Sequence, residues 1–161
     1  MYASDISGEL WQLGFELFND REKMVAEFIQ ADIFDTHSSL EKLSGRIDII
    51  IVNQFLHLFN WEGQIAAMKT VVKLSKPGSI VVGYQRAQVP SQEVRRPWGT
   101  MYLHDPKTFR KIWETVEVET RSKWDIEADL VDLREWGMEP EDFSWMPDGK
   151  RGINFVGTRL A

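Results

Sequence analysis

The stretch Ile47-Asp48-Ile49-Ile50-Ile51-Val52-Asn53-Gln54-Phe55-Leu56-His57-Leu58-Phe59-Asn60-Trp61 is a continuous apolar run that stops abruptly in polar groups and an aromatic-rich turn. A strand apolar on both faces belongs inside a parallel sheet covered by helices. In such sheets ligands bind outside the carboxyl ends of the strands. Asn53 to Trp61 therefore marks the place where a ligand would be handled.

On either side of this run the pattern alternates between strand and helix. Residues 2–5 form a short extended piece, and Leu10, Leu13, Phe15, Leu17 and Phe18 then recur at helical spacing, predicting a helix through residue 23. Residues 28–32 read as a second strand end. After the 47–53 strand, Ile65, Met68, Val71, Val72 and Leu74 make one helical face that stops at the turn Lys76-Pro77-Gly78, and Ser79 to Gly83 is a further buried strand. This rhythm predicts a doubly wound α/β sheet. Residues 86–100 contain two prolines and read as a long loop. Asp105-Pro106 predicts a helix start, with Asp as cap, Pro at the first position, and Phe109, Ile112, Trp113 and Val116 on one face. The segments 124–130 and 152–159 predict an antiparallel strand pair at the sheet edge. Trp113, Trp124 and Trp136 sit in apolar patterns and are expected in the core.

Composition narrows the function classes. A chain of 161 residues, 43% hydrophobic, can bury one sizeable core and is expected to form a single domain over residues 1–161. The formal charge of -6 offers no electrostatic reason to approach nucleic acid or an anionic membrane. The chain has no cysteine, and its three histidines, His37, His57 and His104, show no metal-ligand spacing, so no metal is expected. No stretch approaches about 18 consecutive apolar residues, and the first residues do not read as a signal peptide. The expectation is a cytoplasmic protein.

The ordered set Ser4-Asp5-Ile6, Leu13-Gly14-Phe15-Glu16-Leu17-Phe18, Ala31-Asp32-Ile33-Phe34-Asp35, the 47–61 run and Leu74-Ser75-Lys76-Pro77-Gly78-Ser79 resembles the class I S-adenosylmethionine-dependent methyltransferases. More narrowly it is similar to fungal methyltransferases of meroterpenoid and related secondary-metabolite pathways. Tyr102-Leu103-His104-Asp105-Pro106, Phe109 to Trp113 and Lys123-Trp124 fit the same group. The resemblance implies a Rossmann-like sheet, mostly parallel with an antiparallel C-terminal edge pair, and S-adenosyl-L-methionine as cofactor. It implies a small hydrophobic substrate of terpenoid or polyketide type. Family members open with a strand and a Gly-rich turn that nothing before Asp5 can supply, so the reading expects an N-terminally truncated, incomplete domain. The family's strand order places that strand between the one ending at Asp5 and the one starting at Ile47. Either those flanking strands pair directly or another chain fills the gap, hence the expectation of a homodimer. The alternative reading is a non-catalytic partner subunit or a fragment without function. An NAD-binding domain is disfavoured by the lack of any G-x-G-x-x-G.

Carried over by this resemblance, Asp5 would accept hydrogen bonds from the ribose hydroxyls with Ile6 beside the adenine, while Asp32 and Ile33 would meet the adenine amino group and ring face. Read locally, Asp5 caps the next helix and Asp32 forms a turn. Asp35 reads as a turn residue. Asn53, also a candidate for cofactor binding, and His57 lie nearest the methyl-transfer point. His57 is the one candidate catalytic base, because its unperturbed pKa lies near neutrality, against a structural histidine. Phe55, Phe59 and Trp61 either wall an apolar substrate site or pack under the following helix. Trp98, Met101, Tyr102 and His104 combine apolar faces with polar tips and are the substrate-side candidates, against aromatics that anchor a surface loop.

Overall fold

The computed structural model describes residues 1–146 and 150–161. They divide into two compact units, Met1–Ser44 and Gly45–Ala161. In the first, β1 (Tyr2–Asp5) pairs in parallel with β2 (Glu27–Gln30), Asp5 opposite Gln30, and α1 (Glu9–Phe18) connects them. Trp11 stacks on Phe28 at 5.3 Å and meets Phe15 edge-on at 5.1 Å, which seats one face of α1 on β2. Asn19 takes φ 48°, a left-handed cap that Asn tolerates, so the helix ends at Phe18 and does not run on to residue 23. Leu10, Leu13, Leu17 and Phe18, expected as part of the apolar face, are exposed.

The second unit is built on a four-stranded sheet of order β3-β4-β8-β7. Here β3 (Ile47–Ile51) and β4 (Ser75–Ala87) lie adjacent and parallel, with α2 (Trp61–Leu74) between them in sequence, as the two apolar runs predict. The expected turn at Lys76-Pro77-Gly78 appears as an interruption of register: Ile47 pairs with Ser75, and the next pair is Ile49 with Ile80. Ser79 closes the excursion, its hydroxyl donating to Ile47 O at 2.7 Å and accepting from Lys76 N at 2.9 Å.

Residues 86–100, expected as a loop, extend β4 to Ala87 and then form the hairpin β5 (Gln92–Arg96) and β6 (Gly99–Leu103). Val94, Met101 and Leu103 bury together on one side of it. Polar Gln92, Glu93, Arg95 and Arg96 leave β5 only one apolar position, too few for an alternation to register.

α3 (Pro106–Thr120) begins as predicted, Asp105 Oδ1 accepting from Thr108 N at 2.8 Å in a reciprocal capping box with Pro106 at the first position. Its buried face is Phe109, Ile112, Trp113 and Val116. The chain closes with β7 (Trp124–Asp132) and β8 (Arg151–Arg159), an antiparallel pair at the sheet edge, β8 also running antiparallel to β4.

The two long helices, α2 and α3, lie on one side of the sheet. Phe109 of α3 packs on Phe155 at 4.9 Å, and Trp113 on Trp124 at 4.9 Å. At the end of α2 the Arg159 guanidinium donates to Val72 O and Ser75 O at 2.9 Å each, placing a cation where the helix dipole is negative. Lys69 of α2 and Glu119 of α3 form an ion pair across the two helices.

The opposite face corrects an expectation. Ile49 and Ile51, on a strand expected to be covered on both sides, are 60% and 69% exposed. The helices on one side explain Val52 and Val81, which are buried; nothing equivalent covers the Ile49 and Ile51 side chains. Trp136 is likewise not a core residue with Trp113 and Trp124: it is half-buried, T-stacked on Tyr84 at 4.9 Å and bonded through Nε1 to Asn154 Oδ1 at 3.0 Å.

Pairing continues past the end of β3, Val52 N reaching Val82 O at 2.9 Å and Gln54 N reaching Tyr84 O at 2.7 Å. Glycine is required opposite this segment, because a Cβ at Gly83 would stand 2.0 Å from Val52 O and 2.8 Å from the Phe155 ring. A backbone oxygen in a parallel ladder cannot step aside without breaking pairing. Gly83→Ala is expected to lower unfolding free energy by about 2 kcal/mol or more, in the range of overpacked cores, measured by urea titration; an unchanged midpoint would show that β3 and β4 are less tightly paired than this.

Candidate functional site

In the first unit the carboxyl ends of β1 and β2 open onto a cleft of about 360 Å³, lined by Ile6, Gln30, Ala31, Asp32, Asp35, His37, Ser38 and Ser39. Two consecutive turns build its floor. Asp32 Oδ1 accepts from Phe34 N at 2.9 Å and Asp35 Oδ1 from His37 N at 2.9 Å. Asp5 behaves in the same way, its Oδ1 accepting from Ser7 N at 3.0 Å. That bond closes a turn ahead of α1; the helix cap itself is Gly8, with no side-chain bond. Each carboxylate is thus oriented through one oxygen, and among the described residues its second oxygen accepts no hydrogen bond. Gln30 Nε2 donates to Ile6 O at 3.1 Å, linking the ends of β1 and β2.

Of the residues the sequence nominates for a cofactor, Ile6 and Asp32 line this cleft. Asp5 sits at the end of the adjoining strand, its carbonyl accepting from Ala31 N at 3.0 Å, and Ile33 is half-buried one residue beyond Asp32. Asp35, His37, Ser38 and Ser39 join the lining without having been nominated. The signal available was the repetition of Asp at 32 and 35, two turn-forming residues in succession after a strand end.

In the second unit Asn53 is exposed just beyond β3. Gln54 follows with φ 50°, a left-handed conformation that costs a residue with a side chain about 1 kcal/mol or more. Phe55 and Phe59 pack edge-on at 5.1 Å around a single helical turn, Leu56–Leu58, which carries His57 inward. His57 is buried, and its Nδ1 has no hydrogen-bond partner. Burial, assisted by the charge of Arg86, lowers its pKa to about 4, so the imidazole is neutral at physiological pH and only weakly basic.

The hairpin joins this turn through main chain, Tyr102 N donating to Phe59 O at 2.8 Å. Trp61 meets Tyr102 edge-on at 5.2 Å. Gln64, fully buried on α2, donates through Nε2 to Phe59 O at 3.1 Å and to Tyr102 O at 2.9 Å, while its Oε1 lies 3.1 Å from His104 Nε2. The amide's orientation makes Nε2 of His104 the protonated nitrogen, leaving Nδ1, 3.2 Å from Thr108 Oγ1, to accept. His104 is fully buried, with both nitrogens engaged; burial outweighs the raising influence of Asp105 and Thr108 and lowers its pKa to about 4. Trp98 projects from the hairpin turn and is exposed. Among the described residues no group of three or more His, Asp or Glu could hold a metal ion, and no helix is long and apolar enough to cross a membrane.

No family model matches the chain. It is 32% identical over 174 residues to an O-methyltransferase, phiE, of a fungal species (strain ATCC 74256), an alignment covering 99% of this chain and 58% of that protein. The O-methyltransferase atr3 of Stereocaulon alpinum is 32% identical over 99% of this chain and 46% of its own length. The methyltransferase ausD of Penicillium brasilianum is 36% identical over 80% of this chain and 48% of its own length. Among solved structures, 1,6-didemethyltoxoflavin-N1-methyltransferase of Burkholderia thailandensis, with bound S-adenosylhomocysteine, superposes with a TM-score of 0.67 at 9% identity, over 99% of this chain and 61% of that one. The chain has the fold of the class I methyltransferases and is similar in sequence to fungal members. DhpI, in its S-adenosylhomocysteine complex, carries the same fold at a TM-score of 0.59 and 15% identity, over 99% of this chain and 65% of that one. The chain spans about half the length of the curated methyltransferases it matches.

The two buried histidines give this methyltransferase fold an acid-sensitive interior. Their folded pKa values, about 4, lie below the unfolded 6.5, so the unfolded chain takes up protons first as pH falls. The stability they contribute is complete above pH 6.5 and is lost between 6.5 and 4, roughly 3 kcal/mol for each histidine. Replacing His57, whose Nδ1 is unpartnered, by Leu removes one of these groups without orphaning another. His57→Leu is expected to hold its stability at pH 7 and to flatten the decline toward pH 4, measured by urea unfolding across that range; identical slopes for both proteins would contradict the assignment.

Proposed function

We propose that this chain is the adenosine-binding part of an S-adenosyl-L-methionine-dependent methyltransferase that acts on a small hydrophobic secondary metabolite. The observation that carries the reading is the cleft beyond β1 and β2, where turn-held carboxylates keep one oxygen available beside the apolar Ile6. A ribose presents two hydroxyl donors and an adenine one amino donor with an apolar ring face, so the donor and acceptor chemistry fits the adenosine half of the cofactor. Asp5 would take the ribose, Asp32 the adenine amino group, and Ile6 and Ile33 the ring faces. Support comes also from the fungal O-methyltransferases the chain resembles.

Bound at such a site, S-adenosyl-L-methionine supplies a methyl group on a positively charged sulfur, open to attack by an oxygen or carbon nucleophile. What this chain's residues contribute is positioning, which can carry most of such a reaction. Asn53, exposed just beyond β3, would contact the cofactor. His57 is the candidate proton acceptor; neutral at pH 7, it can receive a proton, and its low basicity limits it to acidic hydroxyls or enols. Phe55, Trp98, Tyr102 and the hairpin offer apolar surface to the substrate, and His104 supports Tyr102 from behind through the Gln64 link. A cytoplasmic setting and absence of nucleic-acid partners belong to the same reading, from the net charge of -6 and the lack of cysteine.

The expected binding is weak and local. Titration with S-adenosylhomocysteine, followed by amide NMR, should shift resonances at residues 6 and 30–39. Asp5→Ala and Asp32→Ala should each weaken the response about tenfold to a hundredfold, the loss of one hydrogen bond to a charged group. Shifts elsewhere, or responses indifferent to both substitutions, would dismiss the adenosine site. A homodimer is the partner state we infer for the chain by itself, because β3 has one neighbour, β4, and a free edge seeks pairing. Sedimentation should then show association rising with concentration, whereas a monomer up to the highest concentrations would exclude it.

A further inference from the structure

Two buried polar groups near the carboxyl ends of β3 and β4 take no part in the Gln64 network. Gln85 of β4 shares its side of the sheet with the buried Val81, Gly83 and Ala87, and it has no exposed surface. Neither Oε1 nor Nε2 of its amide has a hydrogen-bond partner. His57 is 4% exposed, and its Nδ1 is likewise shut away without one. The two residues stand on adjoining segments. Where the chain leaves β3 it stays beside β4: Gln54 N donates to Tyr84 O at 2.7 Å, the turn Leu56–Leu58 packs on β4, and the charge of Arg86, next to Gln85, acts on His57.

A buried donor or acceptor left unpaired costs about 1–3 kcal/mol. Buried polar groups that meet no protein partner are ordinarily joined through an ordered water, which needs about two to four polar partners of its own. One water closes this inventory: it accepts from His57 Nδ1–H and from Gln85 Nε2 and donates to Gln85 Oε1. The choice of tautomer rests on the proton-accepting role proposed above for His57. Nδ1 is shut inside, so the nitrogen that meets a methyl acceptor is Nε2, and it has to be free of its proton. The bond made by one ring nitrogen sets the state of the other.

We propose that Gln85 is a positioning residue for His57: its buried amide holds an ordered water that keeps the imidazole proton on Nδ1 and leaves Nε2 free to take a proton from the methyl acceptor. As the acceptor oxygen gains the methyl group, its proton passes to Nε2, and the imidazolium retains its Nδ1–H bond to the water. The two buried histidines then carry their protons on opposite nitrogens, since the Gln64 amide holds that of His104 on Nε2. In His57→Leu the water keeps both of its bonds to the Gln85 amide. The tautomer is read without cofactor, acceptor or turnover, so methyl transfer that proceeds without His57 would dismiss the base and leave the water link standing.

The test is NMR of the 161-residue chain with nitrogen-labelled imidazoles at pH 7. His57 is expected to carry its proton on Nδ1, with a water contact to that proton and to the Gln85 amide protons, while His104 carries its own on Nε2. In Gln85→Met, which removes the amide at similar volume, the preference for Nδ1 should fall about tenfold, the worth of one hydrogen bond. His104 should keep its tautomer there, reporting an intact fold. In Gln85→Glu the added carboxylate should raise the His57 pKa from about 4 by roughly one unit or more, a change that a purely structural amide would not produce. A wild-type His57 protonated on Nε2, no water contact at its ring proton, a tautomer ratio indifferent to Gln85→Met, or a His57 pKa indifferent to Gln85→Glu would each overturn the proposal. The first two are read on the wild-type chain, so they decide the matter even where a substitution at this fully buried position prevents folding.

Discussion

One buried carboxamide holds together the segments beyond β3 in the second unit. Gln64 sits on α2 with no exposure, yet its three hydrogen bonds reach Phe59, Tyr102 and His104. Phe59 lies in an irregular segment and Tyr102 on a two-stranded hairpin. The amide supplies donors to carbonyls that no sheet ladder serves, which is how buried backbone outside regular structure escapes the penalty for unpaired polar groups. His104 extends the chain of bonds to Thr108 in the first turn of α3. The turn after β3, the hairpin and the start of α3 are therefore registered on one side chain, and the ring contacts of Trp61 with Tyr102 and His104 form around that register.

Local chemistry decided how much of this could be read in the amino-acid sequence. The caps of α3, the parallel β3–β4 pair and the closing antiparallel pair are all specified by neighbours within a few residues, and they stand where those neighbours put them. The α2 cap, Asn60, satisfies Gly63 N by the same local rule. Gln64 was not legible, since its value lies in partners five, 38 and 40 residues away. The hairpin was hidden because an alternation needs apolar residues on both strands, and β5 carries only Val94. The bare face of β3 was misread for a different reason: an apolar run shows what a strand can bury, while coverage depends on where helices lie. The two long helices, α2 and α3, lie on one side.

Polar groups in the two units are arranged for opposite purposes. In the cleft beyond β1 and β2 the carboxylates are exposed and fixed by their own backbone two residues on, so each keeps an acceptor turned outward. Beyond β3 the histidines are buried and their pKa values lowered to about 4. His104 spends both nitrogens on the protein itself.

That contrast bears on where recognition resides. A ligand hydroxyl or amino group entering the first unit's cleft finds an oriented oxygen at no cost in broken internal bonds. A ligand approaching the hairpin meets chiefly the apolar faces of Trp98 and Tyr102, because the strongest donors and acceptors behind them are already committed to holding the hairpin. Hydrogen bonds confer discrimination when a site's buried polar groups would otherwise go unpaired, whereas apolar contact discriminates weakly by size. On the proposed reading, exact recognition would fall to the carboxylates at the ends of β1 and β2. Beyond β3 the exposed surface is chiefly apolar, and the neutral His57 is the one titratable group of the turn that follows β3.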